Sequence, residues 1–540
     1  MKTIWTDRSR TETYQHCPRE RWLRYHEAGM GLEPPKKPLP LCVGGAVHKG
    51  LESLLRQTMD GIGIIDESVA VAAALADFST HRSALALDTT EQAAMSAVID
   101  PRDAGFDAQV LATARDLGMD ANDPAMTELL GRQRNAAAEY DEWLYAEQSA
   151  LVEAMVRAYA RRRLRPLLEE FEVLEVEREG DWELASWLHD DQEEIMQPWQ
   201  LRFMSRPDAL LRSRSDNSLY LLSYKTAATW DIRKARDAEH DMQGLSEGVE
   251  VERRLGQWWT VLHGTDKHNP DLAEIPIATQ KYLAALPASP RILGIRYEYL
   301  LKGGRWEDKD LSARFGIRVW SQRSHLIRKY VATSTPSRGQ SSYTVGDECW
   351  SNDYLKDDGS STSKLAWQNW RARPVWEDGP DAIRRWIDAL DDSQMAMSAY
   401  DSTTGAEPRE LGWKSRAQSL GYTTTHPLDA VFPAPLTVYR QDDQLRDFVE
   451  QVESIETKVA ESVVACEQAQ DEGEKRHLLN IHFPMSRRAC SYPSECAFVP
   501  ICYGGSDIQK SPLESSKYKI RVPNHIQEKE ASEMVSDKRV

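Results

Sequence analysis

No stretch of the 540 residues holds the roughly eighteen or more consecutive apolar residues that a membrane span requires. A transmembrane helix is excluded on that ground, and the chain reads as soluble and globular. The N-terminus, MKTIWTDRSRTETYQHCPRE, has no apolar segment of signal-peptide length, so a cytoplasmic, reducing location is the expectation. Positive charge is in short supply: 67 Lys and Arg against 85 Asp and Glu leave a net charge of -18. This argues against non-specific attraction to nucleic acid or an anionic membrane. A local basic groove is still allowed, since carboxylates that hold a divalent metal raise the acidic count without removing it. No G-x-x-x-x-G-K-[ST] occurs, so the phosphate loop of an ATP-driven helicase is absent. Internal repeats are absent too, and a chain of this length needs no disulfide staples to build a core.

What is present divides into six stretches. Residues 1–60 carry an aromatic and basic segment from Tyr14 to Tyr25, the Pro-rich connector LEPPKKPLPL, and VGGAVHKGLESLL, whose Val47, Leu51, Leu54 and Leu55 recur at helical spacing and place His48 in a helix. Residues 61–150 are Ala-rich and acidic, the texture of a helical insertion. A helix then ends in Arg161, Arg162, Arg163 and Arg165, where Pro166 limits its continuation. Across 151–321 the content of β-branched and aromatic residues rises, and FEVLEVER, LRFMSRPDALLR, SLYLLSYK, RILGIRYEYLL and FGIRVWSQ read as strands, the second and third joined as a hairpin by RSRSDNS. This predicts a mixed α/β core. Residues 322–440, rich in Ser, Trp, Asp and Pro with helical fragments such as IRRWIDAL, suggest a second insertion or lid. In 441–505 the spacing of Leu445, Phe448, Val452, Ile455, Val459 and Val463 predicts a long amphipathic helix over 443–470. The polar stretch 506–540 reads as a disordered tail.

Seven cysteines fall at 17, 42, 349, 466, 490, 496 and 502, the last three as Cys-x5-Cys-x5-Cys. In a reducing compartment such a cluster points to a metal or metal cluster, because several thiolates together satisfy a soft cation. Cys17, in the loop-like YQHCPRE, is the best fourth ligand; Cys42 and Cys466 sit among apolar neighbours. The alternatives are buried free thiols and a structural zinc, but the gaps lack the short Cys-x2-4-Cys knuckle typical of zinc, which favours iron–sulfur.

RPDALLR followed by LYLLSYKTA puts Asp208 and Lys225 seventeen residues apart on the two strands of the proposed hairpin. Phosphodiester hydrolysis needs a divalent metal on hard oxygen ligands and a cation that positions the attacking water. Asp208 supplies an oxygen and Lys225 the cation. A lone Asp–Lys pair is otherwise an edge salt bridge.

HCPRERWLRY around Cys17, GGAVHKGLE around His48, RPDALL around Asp208, LLSYKTA around Lys225, DMQGLSE around Gln243 and the Cys490, Cys496, Cys502 set follow one another in this order. With LGIRYEYLLKGGR as the next core strand, that order resembles the PD-(D/E)XK nucleases of the RecB/AddB-like branch with a C-terminal iron–sulfur cluster, including stand-alone, phage-type members. The resemblance implies a restriction-endonuclease-like mixed sheet flanked by helices, and a [4Fe–4S] cluster on Cys17, Cys490, Cys496 and Cys502 that joins the two ends of the chain. It implies Mg²⁺ or Mn²⁺ held by Asp208, by His48, whose nitrogen favours Mn²⁺, and by the Tyr224 carbonyl. Lys225 would orient the water, and Gln243 would place Lys225 or the DNA strand.

One position departs from that pattern. Ser223 stands where the family has Asp or Glu two residues before the lysine, and a neutral hydroxyl is a weaker ligand than a carboxylate. Glu177 in VLEVER is the acid expected to substitute, against the alternative of an outward-facing strand glutamate. Arg19, Arg21, Arg24, the Arg161–Arg165 run, Arg202, Arg206, Arg212 and Arg214 could line a DNA groove, and Trp22 and Tyr25 could stack bases. The implied activity is a metal-dependent DNA exonuclease acting on single-stranded ends in repair or recombination, with a helicase or recombination protein as partner. The alternative is a catalytically degenerate DNA- or partner-binding protein that keeps the fold and the cluster.

Overall fold

The computed structural model describes residues 2–59, 65–81, 124–302 and 432–528 apart from short internal gaps, together with isolated helical turns and short strands elsewhere. The expected lid over 322–440 and its IRRWIDAL helix lie almost wholly outside the described residues.

The chain opens with β1 (Lys2–Asp7), α1 (Arg8–His16), α2 (Pro18–Tyr25), β2 (Leu32–Glu33) and α3 (Leu39–Met59). Asp7 caps α1, its carboxylate accepting from the Arg10 N–H. Val43, Ala46, Val47, Gly50, Leu51, Leu54 and Leu55 form the buried face of α3. Fully buried leucines such as Leu51 and Leu54 contribute about 2 kcal/mol each. α4 (Glu67–Thr80) and α5 (Pro124–Tyr159) pack on α3. The fit at Gly50 is tight, since a Cβ there would lie 2.5 Å from Val156. The boundary expected at residue 150 falls inside α5, whose Val152, Val156 and Tyr159 enter the main core. Nor does Pro166 end the helix. A π-helical turn, Ala160–Leu164, leads into α6 (Arg165–Glu170), and Pro166 occupies the first turn of α6, where a missing N–H costs nothing.

β3 (Phe171–Val176), β4 (Gly180–His189), β5 (Gln197–Ser205), β6 (Ala209–Ser213) and β7 (Leu219–Ala227) follow, then α7 (Met242–His263), β8 (Ile292–Leu301), β9 (Leu436–Tyr439), α8 (Asp442–Glu467) and α9 (Glu472–His482). The five-stranded sheet runs β9-β8-β7-β6-β3. β7 and β8 are parallel and the other pairs antiparallel. The expected hairpin is β6–β7. However, LRFMSRPDALLR is two strands, not one: Pro207 cannot donate to a ladder, and the chain turns at 206–208 from a second sheet, β1-β5-β4, into the first. Asp208 sits at that corner.

Leu219 and Leu221 of β7 face the cluster built with Val251 and Leu255 of α7, while Tyr220, Leu222 and Tyr224 face α3, α4 and α5. Helices on both faces explain why LYLLSY is an unbroken apolar run. α8 covers the second sheet through Leu445, Phe448 and Val452 against Phe203 and Trp182. Among the described residues no helix is long and apolar enough to cross a membrane.

The stretch expected to be a disordered tail is ordered in part. β10 (Lys519–Ile520) pairs antiparallel with β2, Tyr518 stacks on Phe498 at 5.7 Å, and Glu528 bonds both Arg10 and Arg521. Composition counts large apolar groups, and here buried ion pairs and one aromatic stack hold the segment instead. Gly31, at φ +86, has room for no side chain, as a Cβ would lie 1.9 Å from the Arg24 carbonyl oxygen; this lets β2 turn beside α2 to receive β10.

Candidate functional site

β3 and β6 end together, with Val176 opposite Ala209 in register, and the residues just outside that pair are Glu177 and Asp208. Glu177 has φ +48, a left-handed conformation that costs a non-glycine residue about 1 kcal/mol or more. Its N–H donates to the Asp208 carbonyl at 3.0 Å. From α3, His48 Nδ1 approaches Asp208 Oδ1 at 3.5 Å. One ligand atom from each of His48, Glu177 and Asp208 lies within 4.8 Å of the others, a spacing able to hold a metal ion. Asp208 Oδ2 accepts from the Tyr224 N–H at 2.5 Å. The Tyr224 ring meets His48 edge-on at 6.1 Å and its hydroxyl bonds Tyr159 at 3.0 Å.

The charges answer one another. Burial alone would raise the Asp208 carboxyl, but the His48 charge and hydrogen bond, the Tyr224 N–H and Lys225 outweigh it and hold it below the usual value. Burial would lower His48, and Asp208 and then Glu177 outweigh that and raise it. Burial first, then repulsion from Asp208, pushes Glu177 up to about 7, although Arg206 lies 3.0 Å away. A raised carboxyl stabilises the metal-free fold below its ordinary value of 4.5, and the contribution is lost as pH rises through about 7. His48, also raised, acts in the same direction. In EDTA the stability of the protein should therefore fall between about pH 4.5 and 7 by up to about 2 kcal/mol more than that of Glu177→Gln, as urea-unfolding midpoints across that range would show. Equal slopes in the two proteins would contradict this.

Lys225 lies on the other side of β7. By strand alternation it and Ser223 face α7, and Lys225 Nζ bonds Gln243 Oε1 and approaches Asp241 Oδ2 at 3.3 Å. Asp241 also caps α7 through the Gln243 N–H at 3.0 Å. Ser223 is 1% exposed and its hydroxyl has no partner among the described residues. The structure thus brings His48, Asp208 and Glu177 together, ties Lys225 to Gln243, and leaves Ser223 buried on the lysine face. Sequence reasoning missed Asp241 and Glu247, which accepts from Gln243 Nε2 at 2.7 Å; their signal was spacing from Gln243 along one helix.

Two of the expected DNA contacts, Arg21 and Trp22, are corrected. Arg21 and Trp22 are buried, at 0% and 2% exposure, and Arg21 bonds Glu456. Tyr25 is covered by the guanidiniums of Arg10, Arg21 and Arg521. Arg24, Arg161, Arg202, Arg206 and Arg212 pair with Glu20, Glu67, Asp181, Glu177 and Glu172 respectively. An arginine-rich sequence in an acidic chain finds carboxylates of its own.

Near the chain ends, Cys17 Sγ accepts from the Ser486 N–H at 3.5 Å and Cys496 Sγ from the Phe498 N–H at 3.5 Å. Cys17, Cys496 and Cys502 lie within electrostatic range of one another, and Cys490 of Cys502. Burial pushes Cys496 up to about 12 and Cys502 up to about 11. Cys42 packs into the apolar cluster around α3, and Cys466 into the cluster against which Cys496 and Cys502 also pack.

The family model of the PD-(D/E)XK nuclease superfamily matches residues 8–245, and the mixed sheet between helices is consistent with a nuclease-like fold. The matched range contains His48, Glu177, Asp208, Lys225 and Gln243 and stops before Glu247 and the three C-terminal cysteines. No curated protein matches the chain.

Proposed function

We propose that the chain is a metal-dependent DNA nuclease of the PD-(D/E)XK type, an exonuclease acting on single-stranded ends in DNA processing, recombination or repair. The observation that carries the reading is the convergence of His48, Glu177 and Asp208 at the corner where β3 meets β6, inside the range matched by the nuclease superfamily. PD-(D/E)XK nucleases typically use Mg²⁺ or Mn²⁺, which when bound neutralises charge on the phosphate and lowers the pKa of water. Asp208 and Glu177 fit such an ion as hard oxygen donors, His48 adds a nitrogen that favours Mn²⁺, and the Tyr224 carbonyl is a further candidate. Lys225 positions the attacking water, and Gln243 holds the Lys225 ammonium in place. A helicase or recombination protein is the partner class that this reading implies.

The four thiols fit a [4Fe–4S] cluster: each of Cys17 and Cys496 receives a backbone N–H, as cluster sulfurs do, and the set joins α2 to the C-terminal segment. Anaerobically purified protein is expected to carry iron and sulfide, and Cys496→Ser to lose both along with the visible absorption. Zinc in place of iron would contradict the assignment.

The deciding experiment measures release of labelled nucleotides from single- and double-stranded DNA with Mn²⁺ or Mg²⁺. Release that stops on chelation is the expected result. DNA binding without release, from protein with its cluster intact, would overturn the nuclease reading in favour of the degenerate binding protein that Ser223 suggests.

A further inference from the structure

Tyr297 of β8 pairs in register with Ser223 of β7, and the first turn of α7 lies on this pair: a Cβ on Gly244 would come 2.7 Å from the Tyr297 hydroxyl. The same turn carries Asp241 and Gln243, both in contact with Lys225. One turn further, Glu247 is 2% exposed. Its Oε1 accepts from Gln243 Nε2, while its Oε2 is buried with no partner among the described residues. Four other buried acids are matched by an arginine: Glu175 and Glu250 share Arg254, Glu298 has Arg296, and Glu456 has Arg21. Glu247 has an amide instead, and it lies within electrostatic range of Asp208, Lys225 and Asp241. A buried carboxylate oxygen without a donor costs about 1–3 kcal/mol or more, so the arrangement is destabilising unless a cation fills it.

We propose that Glu247 supplies the oxygen ligand that Ser223 lacks, adding a second carboxylate from α7 to the divalent-cation site that Asp208 anchors. The inference rests on the nuclease reading above. Gln243 then serves both groups, holding the Lys225 ammonium with its carbonyl and Glu247 Oε1 with its amide, and Oε2 is left without a partner among the described residues. Burial, together with the Asp208 charge, keeps the Glu247 carboxyl well above the usual carboxylate range in the metal-free protein. A hard divalent cation relieves that repulsion, and an alkali ion does so far less.

The test is Mn²⁺ binding to the full chain, followed by electron paramagnetic resonance of free Mn²⁺ at neutral pH, with DNA cleavage measured in the same buffer. The proteins are wild type, Glu247→Gln, and Glu247→Gln combined with Ser223→Glu. Glu247→Gln is nearly isosteric; its unfolding midpoint in EDTA should not fall, while its Mn²⁺ affinity should drop at least about tenfold. The double variant, with a carboxylate restored on β7, should recover most of that loss. Unchanged Mn²⁺ binding in Glu247→Gln overturns the proposal, as does a loss that Ser223→Glu fails to recover, which would assign Glu247 to orienting Gln243 alone. If the double variant does not fold, Glu247→Asp decides: affinity above that of Glu247→Gln supports a ligand, and equal loss in both overturns it. Wild-type protein that neither binds Mn²⁺ nor cleaves DNA removes the nuclease reading together with this one. Wild-type cleavage that Glu247→Gln leaves untouched removes only the role of Glu247.

Discussion

Lys225→Ala is expected to cut metal-dependent cleavage by about a hundred- to a thousandfold, the usual cost of removing one preorganised charge from a reacting centre. The side chain is well placed for that role. Gln243 and Asp241 fix its ammonium at the start of α7, and the Tyr297 ring lies 5.9 Å beneath it. Lys225 also lowers the Asp208 carboxyl, so its removal makes Asp208 a slightly better partner for a cation. Mn²⁺ affinity should therefore hold or rise while turnover collapses. That split separates a group acting on the water from one that merely supports the metal site. Single-turnover cleavage alongside Mn²⁺ titration reads it, and cleavage that persists in the variant would mean that the chemistry lies elsewhere or in a contaminant.

The second large effect concerns stability. Glu456 of α8 is 1% exposed and accepts from Thr6 Oγ1 at 2.7 Å, Thr11 Oγ1 at 2.7 Å and Arg21 Nη2 at 2.9 Å. One carboxylate thus ties β1, α1 and α2 to α8. Glu456→Ala leaves Arg21, at 0% exposure, as a buried cation without its carboxylate and takes an acceptor from two hydroxyls. A loss of about 3–5 kcal/mol is expected, read from the urea midpoint. Replacing Arg21 and Glu456 together by apolar residues should recover much of it, because the cost arises from the stranded charge rather than from the missing pair. An unchanged midpoint in Glu456→Ala would mean that this junction contributes little to the fold.

The strand that follows Asp208 and the one that carries Lys225 are legible because apolar runs buried on both faces stand out against an acidic, polar chain, and Gln243 is legible through its place in the ordered set of motifs. β1 and β4 were not: KTIWTD and GDWELASWLH mix charges with aromatics, and their partner β5 became visible as a separate strand only once Pro207 turned the chain. Glu177 was singled out as an acid, but its approach to Asp208 depends on a left-handed backbone that side-chain chemistry does not announce. Glu247 was passed over because a glutamate on an amphipathic helix ordinarily faces water. Arg21 misled for a related reason. Residue type suggests phosphate, and only the fold reveals which carboxylates reach each guanidinium first.

The joining of the chain ends bears on how the protein comes to be folded. β2 finds its strand partner at Lys519–Ile520, Cys17 finds a donor at Ser486, and Thr6, Thr11 and Arg21 find Glu456. These contacts span more than four hundred residues, and at about 5–20 residues per second a ribosome needs tens of seconds to supply the far side. During that interval the first thirty-odd residues carry buried-type groups with nothing to bury against. Residues 2–33 of the nascent chain are therefore expected to be vulnerable to aggregation or proteolysis until residues 456–520 emerge.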